Sequence, residues 1–171
     1  DMSSLFDHEE LREFNDPIGD WDVRNVVNME RMFYNAESFN QPIGQWRTEN
    51  VTIMERMFFQ AKSFNQPIGE WRTENVTTME KMFDGATSFN LGNLLKQTLT
   101  DGITSVQPQS KLVLQTMLVR WITNQEETKV MCGPPNSWDV SKITDMGELF
   151  KHEELMSFDD PIGDWDVRNV V

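Results

Sequence analysis

The side chains that could take part in chemistry are few, and the two histidines are the first to consider. His8 and His152 lie 144 residues apart, and each is followed by Glu-Glu-Leu. A zinc protease places two histidines four residues apart on one helix face, and neither histidine has such a neighbour here. We therefore interpret both as surface or helix-end residues and predict no zinc site.

No other arrangement of residues indicates catalysis. The sequence has no readable Ser-His-Asp set and no glycine-rich phosphate loop, and Cys132 is its only cysteine. We therefore expect a protein that is not an enzyme and that uses no cofactor.

Two acidic turns are the strongest candidates for a metal site. Calcium takes six to eight oxygen ligands, which clustered carboxylates can supply. The spacing does not match the twelve-residue calcium loop, and aspartate at turns also bonds its own backbone. We favour the turn role and keep calcium as a weak alternative. The carboxylates of the two turns are Asp16, Asp20, Asp22, Asp159, Asp160, Asp164 and Asp166, of which Asp20, Asp22, Asp164 and Asp166 are the calcium candidates.

Two asparagines at equivalent positions are glycosylation candidates. Asn50-Val-Thr and Asn75-Val-Thr are acceptor sequences for N-linked glycans, and they lie 25 residues apart. The same residues also suit the start of a short helix, since an asparagine or threonine side chain accepts from free backbone amides there. We favour the capping role and leave glycosylation open.

All of these residues lie in a chain built from a 25-residue repeat. Phenylalanines recur at this spacing, as do tryptophans, and residues 1–27 match residues 145–171 at 21 of 27 positions. Arrays of this kind usually present surfaces or build assemblies. The repeating aromatic residues are Phe14, Phe39, Phe64 and Phe89, with Trp21, Trp46 and Trp71.

Each repeat divides into two parts with different patterns. Apolar residues at steps of three and four predict a short helix over Asn50 to Ala61. Residues 63–71 are extended in character, because Pro67 blocks helix. The fold class predicted is an α/β repeat, a solenoid of short strands or extended arcs and short helices. Its predicted core consists of Phe14, Trp21, Phe39, Trp46, Phe64, Trp71, Met54, Met57 and Phe58.

One asparagine follows the repeating phenylalanine in every coil. A buried ladder of these amides would satisfy backbone groups at a bend between coils, because an amide both donates and accepts. The alternative is a row of exposed amides that bind a ligand, and we favour the structural role. The residues are Asn15, Asn40, Asn65 and Asn90.

The repeat is not uniform along the chain. Residues 1–90 are predicted to be solenoid coils, a first coil of 27 residues followed by coils of 25. Residues 91–137 break the pattern and are predicted to be a linker followed by an amphipathic capping or spacer helix at about 110–123. Residues 138–171 return to repeat text, as the start of a further, truncated module.

The repeat text resembles a known family. The segments "NVTIMERMFFQAKSFNQPIGEW" and "SWDVSKITDMGELF" look like the bacterial surface protein repeats known as DUF285 or BspA-like leucine-rich repeats. The resemblance implies a leucine-rich-repeat-like solenoid, in which methionine and phenylalanine replace many leucines. It also implies a secreted or surface-exposed protein, in some members linked with adhesion, and no catalytic residues.

Charge and composition narrow the choice of partner. The formal net charge is −13, whereas nucleic-acid binders usually carry a basic stripe. No apolar run approaches the roughly 20 residues that span a bilayer. We therefore expect an extracellular or surface interaction and adhesion scaffold that binds proteins or further copies of itself. The alternative is a structural subunit of a filament or larger complex, assembled by end-to-end or lateral stacking.

Overall fold

The computed structural model describes residues 1–95, 106–151 and 153–171. It divides into two compact units, Asp1–Asn93 and Leu94–Val171. His152 and part of the predicted linker, residues 96–105, lie outside the described residues.

The first unit is a stack of four coils joined by backbone hydrogen bonds. We number the coils 1 to 4 by their first phenylalanines, which are Phe6, Phe33, Phe58 and Phe83. Over residues 29–35 of coil 2 and 54–60 of coil 3, every second amide donates to a carbonyl in the next coil, as Phe58 does to Met82 at 2.9 Å. Backbone amides are thereby satisfied between coils, which a buried chain requires.

The predicted solenoid of short strands and short helices in each coil is wrong. Within the described part of this unit, the only strand-like pairing is at isolated parallel bridges, Asn28 with Ile53 and Ile53 with Thr78. Its regular segments are the 3-10 helix Glu9–Leu11 and the start of the 3-10 helix Leu91–Leu94. The leucine-rich-repeat-like fold is therefore replaced by stacked coils made of successive turns.

The expected helix from Asn50 to Ala61 is replaced by such turns. Arg56 and Gln60 have φ angles of 50° and 56°, in the left-handed region that ends a right-handed helix. The remaining amides close local turns, as Met57 does by donating to Met54 at 3.2 Å. Turns that join residues three apart produce a helix-like spacing of apolar residues, which explains the error. Asn50 and Thr52 consequently have no helix to cap.

The interior of the first unit holds two columns of stacked phenylalanine rings. Ring centroids are 5.3 to 5.6 Å apart in the column of Phe6, Phe33, Phe58 and Phe83. They are 5.7 to 6.0 Å apart in the column of Phe14, Phe39, Phe64 and Phe89. The interior also contains fully buried methionines, among them Met54 and Met57. Seven of the nine predicted core residues are buried here: Phe39, Trp46, Phe64, Trp71, Met54, Met57 and Phe58.

The other two predicted core residues lie in coil 1 and are not buried. Phe14 is half-buried and Trp21 is 39% exposed. In the later coils, the indole N–H of Trp46 donates to the Ile18 carbonyl at 3.2 Å, and that of Trp71 to the Ile43 carbonyl at 3.1 Å. Each of these tryptophans is covered by the coil before it, and coil 1 has no such neighbour in the structure.

The second unit contains the α-helices. Helix α1 spans Lys111–Thr123 and helix α2 spans Gln125–Cys132; the 3-10 helices Pro135–Ser137, Leu149–Lys151 and Glu153–Leu155 follow. Ser110 caps α1, because its hydroxyl accepts from the Val113 amide. No helix in the described ranges is long and apolar enough to cross a membrane.

Helix α1 lies against the repeat coil of residues 138–171. Its buried face consists of Val113, Leu114, Met117, Leu118 and Trp121. The Gln115 side chain donates to the Leu149 carbonyl at 3.1 Å, and the Trp121 indole donates to Asp160 at 2.7 Å. In the first unit, backbone carbonyls of a coil accept hydrogen bonds from amides of the preceding coil. In the second unit the Leu149 carbonyl accepts from Gln115 of α1, so α1 lies where a preceding coil lies in the first unit.

Candidate interaction surface

The outward side chains that follow the buried phenylalanines form one column across the first unit. In the four coils this position is occupied by Asp7, Tyr34, Phe59 and Asp84. The next residue donates its amide to the following coil: Asn35 to the Phe59 carbonyl at 2.8 Å, and Gln60 to the Asp84 carbonyl at 2.7 Å. These bonds hold the outward side chains of coils 2, 3 and 4 one above the other.

The two middle positions of this column carry a stacked aromatic pair. The rings of Tyr34 and Phe59 are 4.7 Å apart at an interplanar angle of 6°. Both side chains are partly exposed, unlike the phenylalanines of the interior. An exposed aromatic pair offers apolar area and a negatively polarised ring face to a partner.

An arginine covers one end of the aromatic pair. The Arg31 guanidinium carbon lies 4.2 Å from the Tyr34 ring centroid. Its Nη2 and Nε atoms lie 2.7 and 3.0 Å from one oxygen of Asp7, in the preceding coil. The Arg31 and Asp7 side chains are only 37% and 18% exposed, so water screens this pair less than a fully exposed one. We call Asp7, Arg31, Tyr34, Phe59 and Asp84 the aromatic column.

The sequence interpretation missed the aromatic column, although a signal was present. The residue after the buried phenylalanine changes from coil to coil, and so does the residue after that, whereas in coils 2 to 4 the Met-Phe before them and the alanine after them repeat. Equivalent positions of stacked coils lie one above another, so these varying residues form one line along the unit.

The calcium candidates are not brought together. Asp22 pairs with Arg24 at 2.6 Å, and Asp166 pairs with Arg168 at the same distance. Hydrogen bonds from these arginines hold the pKa of each carboxyl at about 2. Asp164 accepts from the Asn136 side chain at 2.5 Å.

The remaining acidic residues give no cluster either. Asp16, Asp20 and Asp159 are exposed. Within the described part of the chain, no group of three or more His, Cys, Asp or Glu side chains is placed to hold a metal ion.

The asparagines of the glycosylation sequences bond to neighbouring coils. The Asn50 side-chain amide donates to the Arg24 carbonyl at 2.7 Å, and the Asn75 side-chain amide donates to the Glu49 carbonyl at 2.8 Å. Both residues are exposed. Their observed role is to join coils, and glycosylation stays a prediction.

The asparagine ladder is present, but it lies on an exposed edge. The Asn40 amide donates to the side-chain oxygen of Asn15 at 2.9 Å, and the Asn65 and Asn90 amides bond in the same way to the coil before them. The Gln66 side chain adds a bond to the Asn40 side-chain oxygen at 2.9 Å. The side-chain oxygens of Asn15, Asn40 and Asn65 thus join coils, whereas that of Asn90 accepts locally from the Gly92 amide.

His8 and Cys132 take local roles. His8 is exposed and precedes the 3-10 helix Glu9–Leu11, where its Nδ1 accepts from the Glu10 amide at 3.4 Å. Burial raises the pKa of the Cys132 thiol to about 11, so the reactive thiolate is scarce at neutral pH.

Comparison with known proteins gave one match. The family model described as "Mycoplasma protein of unknown function, DUF285" matches residues 1–106 and 117–171, which is most of the chain. No curated protein and no solved structure matches it.

Proposed function

Because this chain belongs to the DUF285 family, we propose that it is a non-enzymatic interaction scaffold whose repeat coils present variable side chains to protein partners. The aromatic column carries this proposal. Inward positions keep the same residue types from coil to coil, whereas the outward column changes from Asp7 to Tyr34, Phe59 and Asp84. A fixed interior with varied outward residues suits recognition on a rigid support.

The proposed partners are proteins or further copies of the same array, and nucleic acid is not among them. The net charge of −13 repels phosphate backbones. We place the role at the cell surface or outside the cell, on the resemblance of the repeat text to bacterial surface proteins.

The test is binding of the purified chain to an array of secreted and surface proteins. The native chain is compared with a double variant, Tyr34→Ser with Phe59→Ser, and with a control, Glu126→Gln, at an exposed position of α2. We expect saturable binding that the double variant loses and the control keeps. Absence of saturable binding to any protein on the array contradicts the proposal.

The second candidate function is a structural subunit that stacks coil against coil. The stacking of coils in the first unit favours it, since a coil of a second copy can cover the exposed Trp21 as coil 1 covers Trp46. Light scattering over a concentration series separates the two functions. A mass that rises with concentration, and falls back in Trp21→Ser, supports stacking; a constant monomer mass contradicts it.

A further inference from the structure

The aromatic column has nearly mirrored ends, and only one of them is covered by an arginine. The order along the stack is Asp7, Tyr34, Phe59 and Asp84, a ring pair with a carboxylate on each side. At the first end, Arg31 lies over the Tyr34 ring and pairs with Asp7. Arg31 therefore shows that the coils of this molecule can hold a guanidinium between an aromatic ring and a carboxylate.

At the second end, the equivalent groups are the Phe59 ring, which is partly exposed, and the Asp84 carboxylate, which is exposed. The Gln60 to Asp84 backbone bond fixes Asp84 one coil beyond the Phe59 ring, as the Asn35 to Phe59 bond fixes Phe59 beyond Tyr34. Among the described residues, no ion pair reaches Asp84; Lys81, in its own coil, is paired with Glu80 at 3.9 Å.

We propose that Phe59 and Asp84 form a site that binds the guanidinium of an arginine side chain supplied by a protein partner. The inference rests on the interaction role proposed above and names its chemistry. A planar guanidinium can stack on an aromatic ring while its N–H groups donate to a carboxylate. At the other end, the Arg31 guanidinium carbon lies 4.2 Å from the Tyr34 ring centroid, and two of its nitrogens contact one oxygen of Asp7.

An ammonium group suits the site less well. A lysine is a compact, strongly hydrated charge that neither stacks nor forms two parallel bonds to a carboxylate. The overall charge of −13 attracts basic segments of either type and raises their encounter rate. The site therefore predicts that arginine binds more tightly than lysine, a difference that net charge alone does not produce.

In the test, a single-arginine peptide, Ac-Gly-Arg-Gly-NH2, is titrated into the full chain, and the NMR chemical shifts of the protein are recorded. We expect shifts concentrated on the Phe59 ring and on the amides of Gln60 and Asp84. The lysine peptide Ac-Gly-Lys-Gly-NH2 should bind at least about fivefold more weakly, because it lacks the stacked and forked contacts.

Two variants test the site residue by residue. Asp84→Asn keeps the size of the side chain and should weaken arginine-peptide binding about tenfold, since the charge-assisted bonds are lost. Phe59→Leu keeps an apolar group but removes the ring face, and it should also weaken binding. Glu126→Gln removes the same charge from an exposed position in α2 and should leave binding within about twofold, because Glu126 is not a residue of the aromatic column. Circular dichroism spectra confirm that each variant is folded.

Three results overturn the site: equal losses in Asp84→Asn and Glu126→Gln, equal binding of the lysine peptide, or no shifts at Phe59 and Asp84 at millimolar peptide. If the peptide fails while the native chain still binds proteins on the array, this site is wrong and the interaction role stands. If both fail, the proposed function fails with it.

Discussion

The two units contain nearly identical sequence segments, and equivalent residues in them are buried to different extents. The segment "DPIGDWDVRN" occurs in both, around Trp21 and around Trp165. Trp21 is 39% exposed, whereas Trp165 is 9% exposed and its indole donates to the Pro135 carbonyl at 2.7 Å. Burial in this repeat is therefore supplied by the neighbouring element, which is a coil for Trp46 and a non-repeat segment for Trp165.

The largest expected effect comes from the stacked interior. Phe58→Ala removes a ring that lies against Phe33, Phe64 and Phe83, and it should lower the free energy of unfolding by about 3–5 kcal/mol. Phe150 occupies the same register in the second unit but is 37% exposed. Phe150→Ala should therefore cost less than about 1 kcal/mol. Denaturant unfolding followed by near-UV circular dichroism measures both, and equal losses would break the comparison.

A smaller effect is expected from glycines in the repeated Pro-Ile-Gly turn. A Cβ atom on Gly44 would lie 2.3 Å from the Pro67 carbonyl oxygen of the next coil, and backbone cannot move aside easily. Gly44→Ala should destabilise the chain by about 1–3 kcal/mol. A Cβ atom on Gly163, at the same register in the second unit, meets nothing within 4 Å.

Gly163→Ala is therefore the matched control for the glycine prediction. We expect it to be neutral or to stabilise by up to about 1 kcal/mol, since alanine restricts the unfolded chain. Thermal melts of the two variants give the measurement. A melting temperature for Gly44→Ala that equals or exceeds the native value would contradict the close approach of the coils.

The tryptophans in the shared text give a third test. Trp165→Phe keeps most of the ring and removes the indole N–H, so the Pro135 carbonyl loses its bond. We expect a loss of about 0.5–1.5 kcal/mol. Trp21→Phe should change stability by less than about 0.5 kcal/mol, because Trp21 is exposed. Denaturant titrations monitored by circular dichroism decide it, and a greater loss at Trp21 would reverse the comparison.

The smallest expected effect is on folding stability at acidic pH, and the two units should show it alike. Hydrogen bonds from Arg24 and Arg168 lower the pKa values of Asp22 and Asp166 from 3.8 to about 2. A carboxyl whose pKa is lower in the folded state stabilises the fold above pH about 4 and loses that contribution as the pH falls towards 2. Asp22→Asn and Asp166→Asn should each make the pH dependence of stability shallower in this window. NMR titration of both carboxyls checks the premise, and normal pKa values would contradict it.

Much of the local pattern was readable from the sequence, and the path of the chain was not. The predicted helix at about 110–123 and the observed α1, Lys111–Thr123, nearly coincide. A long amphipathic segment with a serine cap has one regular structure available to it. The segment from Asn50 to Ala61 has similar spacing, yet left-handed residues at Arg56 and Gln60 turn it into a coil.

The contacts within the aromatic column could not be derived in the same way. Asp7, Tyr34, Phe59 and Asp84 lie about 25 residues apart, and bonds between coils such as Asn35 to Phe59 hold them close enough to touch. The sequence did contain the varying letters, and the family match confirms the DUF285 part of the resemblance. The leucine-rich-repeat geometry attached to that resemblance did not apply, because the coils form turns in place of strands.

The repeat, its 25-residue period and the residue types that face inward could be derived from the sequence, since they follow from the recurrence of apolar residues. Which copy of a repeated residue is buried, and which outward side chains touch, depends on the folded structure, because a coil bonds and buries its groups against a neighbour. Trp21 and Trp165 have the same flanking residues, and only their neighbours make them different.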